Sequence, residues 1–250
     1  MKKVILLFVL LCLPCLAFAG DNTLSLMKQA DGAYAARETV ANAEKALSLY
    51  EQVLSTDPQN YDAAWEASRV CKYLGDKYEN DAKVPVLEKG EKFARKAIEI
   101  NPDKVEGHFW LGVCLGRIGE ERGVLNSLFL VGPIKDEMDK VLAIDPKYDG
   151  AHHVLGVLYR KAPGWPLSSG DINKAEEHAL LAVKYGPDRI LNHIGLAEVY
   201  MAKDRNKEAR QQLLIAIELP PEPDRIPESK DEQLTAKGLL DEVNKKLGEQ

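Results

Sequence analysis

Three histidines recur in one local setting, in Gly107-His108-Phe109, Ala151-His152-His153 and Asn192-His193-Ile194. If they converged on one ion, His108, His152 and His193 would make a nitrogen site for a transition metal. Each, however, takes the fourth position of its own helical repeat, and packed helices lie about 8–10 Å apart. A ladder of packed histidines is therefore expected, and no metal site. Cys71 and Cys114 lack any CxxC or Cys/His context, so no zinc site is expected. They are read as two small buried side chains on neighbouring helices, with a disulfide as the alternative. No Gly-rich phosphate loop, HExxH, GxSxG or paired-carboxylate constellation is present, so neither an enzyme nor a cofactor is expected.

Recognition chemistry is better represented. Counting along the repeats places Trp65, Arg69 and Tyr73 on one face, followed by Phe109, Val113 and Arg117, then His153 and Arg160. Lys72, Val157, Lys161, Leu191, Ile194 and Met201 share that face. Arginine offers a planar fork for carboxylates, and aromatic side chains supply apolar contact at low entropic cost. Such a groove suits an anionic, partly apolar ligand or peptide segment. The competing reading pairs these arginines with acids of the chain itself, such as Glu106 or Asp62. With 33 basic against 39 acidic residues the net charge is -6, which gives no bulk reason to bind nucleic acid.

The elements that position these residues are marked by prolines. Asp57-Pro58, Asn101-Pro102, Asp145-Pro146, Gly186-Pro187 and Leu219-Pro220 each end an apolar pattern of period near 3.6. Leu196, Ala197, Tyr200, Ala209, Leu213, Ala216 and Pro221 then fit the tetratricopeptide (TPR) motif without a gap. The fold expected is an all-α TPR-like solenoid, a right-handed superhelix of about five helix pairs. Insertions lengthen the earlier units at Gly75 to Lys89, Gly119 to Pro133 and Lys161 to Asp171, where Asp171 is a plausible N-cap. Ser229-Lys230-Asp231-Glu232 reads as a capping box opening a terminal helix that covers the apolar end of the stack.

The chain starts Met1-Lys2-Lys3, continues with an apolar run, and reaches Ala17-Phe18-Ala19. That pattern reads as a signal peptide over 1–19, cleaved after Ala19 and delivering a periplasmic or secreted protein. Cys12 and Cys15 sit in poor lipobox settings, so lipid anchoring is the secondary reading. The repeat domain is expected over 20–220, with a Pro-rich linker and capping helix over 221–250. A composition of 45% hydrophobic and 29% charged residues supports one ordinary globular core.

His108-Phe109-Trp110-Leu111-Gly112, Ile144-Asp145-Pro146, His152-His153-Val154-Leu155-Gly156, the Pro163-Gly164-Trp165-Pro166 loop and Asn192-His193-Ile194-Gly195 carry a family resemblance over residues 104–218. They resemble the T-component (TatT-type) family of TRAP transporters and the related regulator-of-microtubule-dynamics proteins. The resemblance implies a binding or adaptor protein, docking a periplasmic substrate-binding protein, taking an organic anion or amphiphile, and assembling as a trimer. The alternative is an interaction scaffold in envelope assembly.

Overall fold

The computed structural model describes residues 14–248, and among them every regular element is helical. The helices pair in chain order: α1 (Pro14–Ala35) with α2 (Val40–Thr56), and α3 (Tyr61–Lys77) with α4 (Lys83–Ile100). Next come α5 (Val105–Arg122) with α6 (Val124–Ile144), α7 (Asp149–Lys161) with α8 (Ile172–Tyr185), and α9 (Ile190–Ala202) with α10 (Asn206–Glu218). A single long helix, α11 (Ile226–Leu247), follows. This is the all-α TPR-like solenoid the proline spacing predicts.

The first three turns between pairs are built the same way. Asp57, Asn101 and Asp145 accept, through their side chains, the backbone N–H two residues on, at 3.3, 3.1 and 2.9 Å. This Asx turn reverses the chain across the proline that cannot continue the helix. The histidine ladder then ties the next helix to the turn. Nε2 of His108, His152 and His193 meets the carbonyl of Pro102, Pro146 and Pro187 at 2.9, 3.2 and 2.7 Å. Nδ1 of each reaches the second helix of the same pair, at Glu137, His178 and Gln212. The rings thus brace successive repeats rather than converge.

Two of the three insertions are absorbed into helix. The segment at Gly75 to Lys89 lengthens α3 and α4 around one 3-10 turn, and that at Gly119 to Pro133 lengthens α5 and α6. Only Gly123, at φ +80°, separates the latter two. The third is a true loop, closed by a bridge between Gly164 and Gly170 and leaving Trp165 90% exposed. Trp165 therefore packs against none of the core. Asp171 caps α8 as read, accepting from the Asn173 and Lys174 amides.

Cys71 and Cys114 are buried and unpaired. Gly90 lies between them: a Cβ there would stand 2.8 Å from Cys71 Cβ and 2.9 Å from Cys114 Sγ. The two thiols serve as small packing groups where α3, α4 and α5 meet.

The capping box does not form. α11 begins earlier, with Pro227 and Glu228 in its first turn, and Ser229 Oγ accepts the Glu222 amide instead. Proline is pre-set for a helix's first turn, which moves the start ahead of Ser229. Ala236 and Val243 of α11 are fully buried against α9 and α10, so its second half covers the end of the stack as expected. Its first half reaches residues of the opposite end.

Candidate interaction groove

First helices of successive pairs touch one another, α3 with α5, α5 with α7 and α7 with α9, while second helices fill in behind. The first helices therefore form the inner wall of the solenoid, and the wall carries the residues read from the repeats.

Trp65 is half-buried, and its Nε1 donates to Asp62 Oδ1 at 3.2 Å. Arg69 stands over two rings, 4.4 Å from the centroid of Tyr34 and 5.3 Å from that of Trp65, and pairs with Glu66 at 2.5 Å. Arg117 pairs with Asp76 at 2.8 Å and with Glu120. Arg160 donates to Glu198 at 2.7 Å. Phe109 packs into the α5–α7 seam between the rings of Trp110 and Tyr148, with Val113 half-buried one turn on. His153 packs against Gly195 of α9. Burial, the nearby Arg189, and the more weakly acting Arg225 and Arg160 push its pKa down to about 4, against the pull of Asp149. The ring is therefore neutral at physiological pH.

Tyr73 departs from the expected groove. It is 3% exposed, its hydroxyl donates to the Arg37 carbonyl at 2.6 Å, and its ring meets Tyr34 edge-on. Position in the repeat places it on the inner wall, but the turn after α1 covers it.

The wall arginines do pair with acids of the chain, though not with those the sequence suggested. Asp62 takes Trp65, and Glu106 takes the Tyr61 hydroxyl at 2.9 Å. Arg69 pairs within its own helix, while Arg117 belongs to a series that joins repeats, Lys72–Asp76–Arg117–Glu120–Lys161 across α3, α5 and α7. Burial works to raise the Asp76 and Glu120 carboxyls, but Lys72 and Arg117 at the first, and Lys161 and Arg117 at the second, outweigh it. Both acids stay ionised. Within each arginine one donor is both buried and unpaired: the Nε–H of Arg69, Arg117 and Arg160 is shielded from solvent and reaches no acceptor.

Sequence reasoning missed Arg37. This side chain is 2% exposed and lies 4.2 Å from the Tyr34 ring centroid. Its Nε and Nη2 donate to the two oxygens of Glu228 at 3.0 and 2.7 Å, Nη2 also to the Asp224 carbonyl at 2.6 Å, and Nη1 to the Tyr34 carbonyl. Lys77 adds a pair with Asp231 at 2.5 Å. The linker and the first turns of α11 thus lie across the α1–α3 end of the wall. A cleft of about 420 Å³ remains between them, lined by Asp31, Tyr34, Glu66, Arg69, Asp224 and Ile226.

Glu66 titrates in an unusual range. Burial raises it, Asp31 adds to this, Arg69 opposes it, and the outcome is a pKa of about 7 against an ordinary 4.5. The folded state holds this proton more tightly than the unfolded chain. Its contribution to stability is therefore full below the ordinary value and lost as pH rises through about 7. Glu66→Gln is expected to remove that decline, worth up to about 3 kcal/mol. Urea midpoints of parent and variant, compared at mildly acidic and mildly alkaline pH, read the difference. Equal slopes for the two proteins would contradict the assignment. His153, whose pKa is lowered, works in the opposite sense at acid pH and cancels in that comparison.

A family model described as regulator of microtubule dynamics protein 1-3 matches residues 26–162, more than half of the chain. Regulator of microtubule dynamics protein 1 of Pongo abelii is 27% identical over 160 residues, 59% of this chain and 51% of that protein. The Caenorhabditis elegans protein of that name is 24% identical over 172 residues, covering 64% of this chain and 76% of its own. Regulator of microtubule dynamics protein 3 of Bos taurus is 21% identical, covering 80% of this chain and 45% of its own. The chain spans about half the length of the first of these relatives. Among solved structures, the thermophilic TPR protein TTC0263 of Thermus thermophilus superposes with TM-score 0.65 at 18% identity, over 86% of this chain and 98% of that one. Pseudomonas aeruginosa pilF does so with TM-score 0.56 at 13% identity, over 90% and 93%. These two show the fold.

The comparisons also correct the address. The curated relatives come from animals, which have no periplasm, and are named for microtubules, polymers of the cell interior. The expected periplasmic or secreted location falls, and with it the periplasmic substrate-binding partner. Of the leader read over 1–19, residues 1–13 lie outside the described residues. The matched region begins well before residue 104 and stops at 162, so the resemblance is carried by the first three pairs and part of the fourth. Through that match, the chain belongs to the regulator-of-microtubule-dynamics family.

Proposed function

We propose that this chain is a non-enzymatic adaptor whose inner wall takes an acidic, partly apolar segment of a protein partner. The observation that carries this is the recurrence of Arg69, Arg117 and Arg160, each partly exposed, on successive first helices. Each guanidinium is partly exposed and can exchange its pair with the chain's own acid for one with an incoming carboxylate. Phe109, Val113 and Trp65 supply apolar contact beside these charges. The TPR-like fold supports a protein partner, since stacked helix pairs present an extended concave surface. The relatives' names, as regulators, agree with an adaptor role rather than catalysis.

Calorimetric titration of three synthetic probes tests this: a Glu/Leu-rich helical peptide, a Lys/Leu-rich one, and decanoate as a free organic anion. The Glu/Leu peptide is expected to bind, more weakly as salt rises. Arg117→Ala is expected to cost about 1.5–3 kcal/mol of that binding, the range for hydrogen bonds to charged groups. Tighter binding of the Lys/Leu peptide would contradict the proposal, as would binding of decanoate and neither peptide.

A further inference from the structure

The C-terminal arm shows what chemistry the α1–α3 end of the wall accepts. Its linker carries Pro220, Pro221 and Pro223, its helix opens with Pro227, and its first turns bring Glu228 onto Arg37 and Asp231 onto Lys77. The two halves of α11 are held differently. The second half sinks Ala236 and Val243 into the core. The first half leaves Ile226 39% and Leu234 66% exposed, so its hold on the first pairs is by charge and hydrogen bonds. The cleft beside Asp224 and Ile226 shows that the arm does not fill its seat.

We infer that the surface formed by Arg37, Lys77 and Tyr34 is a docking site for an acidic, proline-led helical segment of a protein partner, whose place residues 222–232 of the chain hold until it arrives. This rests on the proposed function for the class of partner, but uses a different part of the wall. The incoming segment replaces Glu228 and Asp231 at their cations. The first half of α11 then detaches while the second half stays in the core, so the solenoid keeps its cap. Displacement exchanges one set of charge pairs for another, so a partner need only match the arm's chemistry and exceed its local concentration.

A fluorescein-labelled peptide with the sequence of residues 220–234, titrated by anisotropy, tests this on the full chain. Glu228→Lys/Asp231→Lys repels the arm and leaves the wall intact. It is expected to bind the peptide at least tenfold more tightly than the parent. Adding Lys77→Ala should remove part of the gain, and a peptide carrying Ala in place of Asp231 should bind with and without Lys77→Ala alike. Circular dichroism establishes that the variants are folded. A milder release, Glu228→Gln/Asp231→Asn, should speed amide exchange over 226–235 and spare 236–247. The inference is overturned if folded released-arm variants bind no tighter than the parent, or if exchange in the two halves rises together. Should the released-arm gain appear while Arg117→Ala leaves the Glu/Leu probe unaffected, the inference stands and the wider proposal fails. The opposite pattern separates them the other way.

Discussion

Arg37→Ala is expected to lower the free energy of unfolding by about 3–5 kcal/mol, the range for removing one partner of a buried ion pair. Few side chains here are so fully engaged. The guanidinium is 2% exposed, faces Tyr34 and Tyr73, and serves Glu228, the Asp224 carbonyl and the Tyr34 carbonyl together. Truncation leaves the Glu228 side chain, itself only 14% exposed, without a cation and uncovers the Tyr34 and Tyr73 rings. Part of the cost is relieved if the first turns of α11 swing into water, where Glu228 is solvated. Urea unfolding measures the loss, and amide exchange over 226–235 shows whether those turns come free. A loss under about 1 kcal/mol, as for an exposed surface pair, would mean that Arg37 does not join the two ends of the solenoid.

Gly112→Leu should damage the middle of the stack by about 3 kcal/mol, the upper part of the range for overpacking. A Cβ on Gly112 would stand 2.4 Å from Met138 Cε, and Met138 is fully buried. Methionine can swing away from a single methyl group, but a leucine must also fit its branched end between α5 and α6. Gly132, also on α6, is the internal control. It is exposed, with nothing near its absent Cβ, so Gly132→Leu should stabilise by roughly 0.5–1 kcal/mol through helix propensity alone. Thermal unfolding of the two variants separates the effects. Similar shifts in both would show that α5 and α6 do not approach closely at Gly112.

What the sequence made legible follows from what is local. The Asp/Asn-Pro stops and the histidines six residues beyond them repeat at fixed spacing, because one turn is built several times. Asp171 announced its cap for the same reason: the donors lie two and three residues away. The groove arginines could be placed on a face, since the face is set by helical period. Glu66 and Glu120 lie three positions from Arg69 and Arg117, but two further partners could not be placed, because Asp76 meets Arg117, and Glu198 meets Arg160, from neighbouring repeats. The contact between Arg37 and Glu228 spans 191 positions, and no local pattern encodes it. The same contact explains Tyr73, open in an isolated repeat and covered here by the turn that carries Arg37. The motif gives where the extra residues fall but not their form: the second insertion continues into α6, a helix of 21 residues.

The central claim is that Arg69, Arg117 and Arg160 form one recognition wall for an acidic segment. Nε–Hε correlation spectra of the arginine side chains test it most directly, with resonances assigned through single Arg→Lys variants and the Glu/Leu-rich peptide as titrant. The account expects these three resonances to shift together at one saturation point, with the shifts weakening as salt rises. If the peptide binds while these three stay still and Arg95 on α4 moves instead, the partner lies on the outer face and the wall is structural.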